Sequence, residues 1–141
     1  MNIEKILLDH LNSMQFMELV MPTGDRLIIQ GESVLSVPQG TVSPVPCYGE
    51  RPQKPPQTYV VLDKTGGTES NFIERTTIAF QTVAPTKAEA SFLNDRVKEA
   101  IYTADTLPGV SAVSLISDGD FTNPTTKTYR YQTVFEITHR I

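Results

Sequence analysis

One cysteine, two histidines and no long apolar run leave this 141-residue chain few routes to chemistry or to a membrane. A lone cysteine, Cys47, forms no intramolecular disulfide, and by itself it builds neither a CxxC motif nor a zinc site. Nowhere does the apolar content approach the ~20 consecutive residues of a membrane-spanning helix, and Met1-Asn-Ile-Glu-Lys5 lacks the core of a signal peptide. The expected setting is therefore cytoplasmic, with no membrane partner. Basic residues are also sparse. Twelve Lys and Arg stand against sixteen Asp and Glu, for a net charge of −4. A reader of DNA or RNA sequence needs clustered cations to displace counterions from phosphates, and here they are scattered. An acidic wall still suits passage of DNA without adhesion.

What is present is enough for one domain with a real core. Hydrophobic residues make up 39% and charged residues 20% of the chain, near globular averages, which argues against wholesale disorder. Ile3, Ile6, Leu7, Leu11 and Met14 recur at three- and four-residue steps and predict an amphipathic helix over 2–13. Glu4 and His10 sit at the ends of it that the helix dipole favours. Phe16 to Met21 and Arg26 to Gln30 are candidate strands around a turn at Thr23-Gly-Asp25, and Ser33 to Val37 is a further short candidate.

Six of the ten prolines, Pro38, Pro44, Pro46, Pro52, Pro55 and Pro56, fall in one segment. No central strand can pass through them, because proline lacks the ladder donor and restricts its predecessor. Residues 38–57 therefore read as irregular, either an arm that orders against a partner or a plain loop.

Tyr59-Val-Val-Leu62 reads as a strand, Gly66-Gly67 as a turn within a loop over 63–71, and Ile73 to Val83 as a long alternating strand. Thr86 followed by Glu89 has the spacing of a capping box and opens a helix over 86–104. Its expected apolar stripe is Ala88, Phe92, Leu93, Val97, Ala100, Ile101 and Ala104, with Asn94, Asp95, Lys98 and Glu99 facing away. Leu107-Pro-Gly109 stops it. A strand over Val110 to Ile116 is expected to break at Asp118-Gly-Asp120, in a loop over 118–127. In the closing strand, Thr126 to Ile141, Tyr129, Tyr131, Thr133, Phe135 and Ile137 share one face. The fold class is α+β: a mostly antiparallel sheet against a long helix and an N-terminal helix.

Candidate chemistry is thin. Cys47 with His10 or His139 would be the only nucleophile and base, and Cys47 lies among prolines with nothing to lower its thiol pKa. Asp118-Gly-Asp120 with Asn123 has the start of a calcium loop. Its glycine is at the wrong position, though, and Tyr129 stands where the chelating glutamate belongs, so an Asp-Gly turn is the better account. Tyr129 and Tyr131 lack the basic stripe that would make them base-stacking platforms. We expect no catalytic site, metal or cofactor.

The C-terminal half resembles the tail-terminator (tail-completion) proteins of long-tailed phages. The resemblance covers about residues 1–13 and 45–141. It rests on the order of a proline-bearing approach (Tyr48-Gly-Glu-Arg-Pro52 to Pro56), Thr58-Tyr-Val-Val-Leu62, a Gly-Gly turn, Arg75-Thr-Thr-Ile-Ala-Phe80, the helix Lys87-Ala-Glu-Ala90 to Val97-Lys-Glu-Ala100, Val113 to Ile116, and Tyr129 to Thr138. It implies a homo-oligomeric, typically hexameric ring in the virion tail, which caps the tail tube, meets the head connector and lets DNA pass. Polar loop residues on a rigid scaffold commonly carry contacts, and on that ground the expected contact residues are Tyr48, Arg51, Lys64, Glu69, Asp118, Asp120 and Phe121. The alternatives are another neck or head–tail connector component, or, in a different class, a small enzyme or ligand-binding domain.

Overall fold

Asn2 opens the first helix, its side chain accepting from the Lys5 amide at 3.1 Å. The computed structural model describes residues 2–30, 40–122 and 128–140. Helix α1 (Ile3–Ser13) buries Ile3, Leu7 and Leu11. The strands β1 (Phe16–Val20) and β2 (Arg26–Gln30) form the expected hairpin. Ser33 to Val37, the further candidate strand, lies outside the described residues.

The proline-rich segment is more ordered than its composition predicts. Strand β3 (Thr41–Pro44) pairs with β1, giving a small sheet of order β2-β1-β3. The two-residue β4 (Cys47–Tyr48) runs parallel to β5 (Tyr59–Ser70). Both proline-flanked strands are edge strands, the one sheet position in which a missing N–H leaves no partner unsatisfied. A central strand is absent there, as expected; the purely irregular reading is corrected.

The main sheet has five strands in the order β4-β5-β6-β8-β7, with β6 (Ile73–Ala84), β7 (Val110–Asp120) and β8 (Tyr129–Arg140). Only the β4–β5 pair is parallel. Helix α2 (Lys87–Tyr102), continued by a 3-10 turn over Thr103–Thr106, carries the chain from β6 across to β7, and β8 fills the place between them. One sheet face contributes Ile78, Phe80, Phe135 and Ile137 to a single core, shared with Leu7 and Leu11 of α1 and Leu93, Val97 and Ile101 of α2. Phe80 and Phe135 meet edge to face there at 6.1 Å, a favoured aromatic geometry. The α+β class is as expected.

Two expected turns are strands instead. Gly66 and Gly67 lie inside β5, opposite Thr77 and Thr76. The register slips between Lys64 and Gly66, so Thr65 is a bulged residue, and the glycines serve the bulge and a close approach rather than a reversal. A Cβ on Gly67 would stand 3.1 Å from the Arg75 carbonyl oxygen. The reversal comes later, at Asn71-Phe72, both at positive φ (52° and 66°), as in the turn that matches strand twist. Likewise Asp118-Gly-Asp120 does not break β7. Those residues pair with Thr133, Gln132 and Tyr131 of β8, whose twelve-residue ladder extends β7 past the point where local composition would end it.

The stripe of α2 is also rotated from its expected position. Leu93, Val97, Ala100 and Ile101 are buried as expected, but Ala88 and Phe92 are exposed, while Asn94 and Glu89 are buried. Thr86 caps the helix, accepting from the Glu89 amide at 3.2 Å. The reciprocal half of the capping box is not made, because the Glu89 carboxyl turns inward toward Thr58.

Candidate assembly surfaces

The expected contact residues fall into three separate groups. Lys64 and Glu69 stand on β5, exposed, rather than in a loop. Lys64 Nζ lies 3.5 Å from Glu74 Oε1 across the hairpin. Glu69 is in register with Glu74 itself and, among the described residues, has no cation of its own.

Asp118 and Asp120 stand at the end of β7, and their role is largely internal. Asp118 accepts from Asn94 Nδ2 at 2.7 Å and from Lys98 Nζ at 2.6 Å, tying β7 to α2. Burial pushes its carboxyl up, but the hydrogen bonds from Lys98 and Asn94 outweigh this and hold it below the usual carboxylate range. The Asp118 hydrogen bond raises Lys98 in turn. Asp120 is held low by the Thr122 hydroxyl and amide. Phe121 is half-exposed, with its ring edge over Gly119.

Tyr48 is half-buried and meets the Tyr59 ring edge-on at 6.3 Å. Arg51 borders a depression shared with Pro55, Tyr59, Val83 and Thr128. The structure does not gather the seven residues into one site.

The large exposed apolar side chains mark surfaces that the sequence pattern missed. Phe72 and Ile73 occupy the tip of the β5–β6 hairpin, with Phe72 84% exposed. Leu115 and Ile116 lie along β7, and Leu27 and Phe92 flank a groove of about 280 Å³ between β2 and α2. Arg26, Ile28, Ile29, Ala88 and Glu89 complete its lining. The Arg96 guanidinium lies 4.8 Å from the Phe92 ring centroid, within cation–π range. Alternation alone groups Phe72 with Glu74, Thr76, Ile78 and Phe80 on one strand face. The signal for its true position was the Asn71-Phe72 pair, since asparagine is a residue that tolerates positive φ.

Beneath that groove lies a buried acid pair that spacing alone could not reveal. Glu18 of β1 and Glu89 of α2 are hydrogen-bonded to each other, with Glu89 2% exposed. The Thr58 hydroxyl donates to Glu18 and lies 3.4 Å from Glu89 Oε1, and Arg26 Nη1 stands 3.3 Å from Glu18 Oε1. Burial, then the Glu18 hydrogen bond and charge, pushes Glu89 up to about 8. Glu18 is also pushed up by burial, but hydrogen bonds from Glu89, Thr58 and Arg26 outweigh this and leave it below its ordinary value. At neutral pH, Glu89 is the protonated donor and Glu18 the ionised acceptor. The pair clamps the small sheet onto α2.

Cys47, His10 and His139 each have a separate structural environment. Burial pushes the Cys47 thiol up to about 12. His10 Nε2 stands 2.9 Å from the Ala100 carbonyl oxygen, joining α1 to the end of α2. His139 is buried, with Nδ1 2.8 Å from the Arg140 carbonyl oxygen and Nε2 2.8 Å from Thr76 Oγ1. Among the described residues no group of three or more His, Cys, Asp or Glu is arranged to hold a metal ion, and no helix is long and apolar enough to cross a membrane. The chain matches no protein-family model and no curated protein sequence.

Proposed function

We propose that this protein is a structural subunit of a long-tailed phage tail, a terminator that closes into a homo-oligomeric, hexameric ring on the tail tube and meets the head connector. The observation that carries the reading is where the exposed large apolar side chains lie. They sit at the hairpin tip, along β7 and beside α2, rather than lining one cleft. Exposed apolar side chains on several sides suit a ring subunit, which has neighbours on more than one side. The element order on which the resemblance rests supports the same reading, and the net charge of −4 suits a lumen that DNA must cross without sticking. On this reading the protein acts by binding and no bond is made or broken.

The test is end-capping. Purified protein is added to tail tubes polymerised from the tube protein of the same phage, and the tubes are imaged by electron microscopy. A ring at one end of each tube, with tube growth arrested there, is the expected result. Tubes left bare and still growing would overturn the reading.

A further inference from the structure

The main sheet ends in two open edges. Among the described residues β7 pairs with β8 alone, so its outer side presents backbone donors and acceptors to solvent. At the opposite edge, β4 covers β5 only at Val60 and Val61. Beyond it, Asp63–Ser70 meets no outer strand among the described residues and is exposed throughout. Soluble proteins blunt such edges with charges or prolines, because an open edge invites a further strand. From Val110 to Ser117, β7 carries neither, and it shows Leu115 and Ile116 to solvent.

The two edges match each other. Three successive antiparallel pairings leave β7 running opposite to β5. Copies turned about an axis along the strands therefore bring β7 of one beside β5 of the next in the antiparallel sense that dominates within the sheet. Heights agree as well. Followed across the sheet, the register puts Ala112, Val113 and Ser114 in the same rows as Thr68, Gly67 and Gly66. The first three lie between the two bulges of β7 and the others lie past the bulge at Thr65, so regular backbone faces regular backbone. A joint in these rows also keeps the side chains of each row on one face of the sheet. Gly66 adds to this. It is not at positive φ, and a Cβ there would meet nothing within 4 Å, as suits a strand glycine beside which another backbone comes close. Pairing of β7 with β7 across a two-fold axis would stop at two copies and leave the β5 edge open, whereas head-to-tail joining covers both edges.

We propose that β7 of one copy pairs antiparallel with the outer edge of β5 in the next, Ala112–Ser114 against Gly66–Thr68, so that the five-stranded sheet runs on from copy to copy. This contact deepens the ring reading above and rests on it.

The experiment uses the full chain with Cys47→Ser. Ala112→Cys protein is mixed with Thr68→Cys protein under mild oxidation, since directly opposed residues on neighbouring strands are close enough for a disulfide. Mixed dimers should form in preference to either homodimer. A chain carrying both cysteines should give a ladder of cross-linked species that stops at the closed ring. Charge then tests the same row without a covalent bond. Ala112→Lys with Thr68→Lys puts like charges across the joint, and Ala112→Lys with Thr68→Glu puts opposite ones there. The like-charged variant should dissociate at a concentration about threefold higher or more. Both should melt alike below their midpoints, because the two positions lie on opposite edges of one subunit.

Homodimers of Ala112→Cys alone would mean two-fold pairing of β7 and would overturn the contact. Equal dissociation midpoints for the two charge variants would overturn it too. A discrete wild-type oligomer in which the cysteines do not cross-link would overturn the contact and leave the ring reading standing. A wild type that stays monomeric and gives no mixed dimer also overturns the contact, and end-capping then decides the ring reading separately.

Discussion

Glu89 in the first turn of α2 and Glu18 on β1 hold one proton between them, with Thr58 donating to Glu18 and Arg26 balancing the remaining charge. The pair joins the small sheet to the helix, and it makes that junction sensitive to pH.

Glu89 titrates at about 8 in the folded chain, against an ordinary 4.5. Between those values the folded state holds one more proton than the unfolded state, so this group's contribution is complete below the ordinary value and is lost as pH rises through the folded one. The slope is at most about 1.4 kcal/mol per pH unit. Glu18 is depressed and acts oppositely: its contribution is present above its ordinary value and is lost as pH falls through the lower one. Urea denaturation from pH 5 to 9 should show stability falling with pH. Glu89→Gln, which keeps a neutral donor, should flatten that fall. An equal slope in both proteins would refute the assignment of the proton.

Asp118 is expected to matter for folding more than for contacts. Asp118→Ala removes the acceptor of Asn94 and Lys98 and leaves the buried Asn94 amide with no partner. The loss should be about 1–2 kcal/mol, read as a lower urea midpoint at unchanged slope. A midpoint within error of the wild type would return Asp118 to the surface-contact group in which sequence reasoning placed it.

The turn at Asn71-Phe72 carries backbone strain. Phe72→Gly relieves a left-handed phenylalanine worth roughly 1–2 kcal/mol, and part of that gain is offset by the greater freedom of glycine in the unfolded chain. Net stabilisation of about 0.5–1 kcal/mol is expected in the monomer, measured by thermal melting at low protein concentration. Destabilisation would mean that the Phe72 ring packs against the hairpin after all.

Cys47 should be nearly inert in the folded protein. It is 7% exposed, and burial holds its thiol near 12, so little reactive thiolate forms at pH 8. Labelling by a thiol reagent should be slow in buffer and become fast in denaturing urea. Rapid native labelling would show that β4 opens readily from the sheet edge.

Much of this architecture follows from the sequence by itself, because the forces involved are local. The Thr86 cap needs only the Glu89 amide three residues on, and the burial of Leu7, Leu11, Leu93, Val97 and Ile101 follows from helical period. Strict alternation likewise placed Thr133, Phe135 and Ile137 on the covered face of β8.

Tertiary structure decided what depends on distant partners. Gly66-Gly67 and Asp118-Gly119 both carry turn chemistry, yet each lies within a strand, because a neighbouring twelve-residue strand supplies a ladder that outweighs a local preference for reversal. Pro44 closes a strand because β1 offers an edge that requires no donor from it. Glu89 and Asn94 are polar residues that solitary helix periodicity turns toward water. They are buried because Glu18 and Thr58 wait for one and Asp118 for the other. Pairings such as Glu18 with Glu89 join residues about seventy positions apart, and no window of local sequence contains both partners.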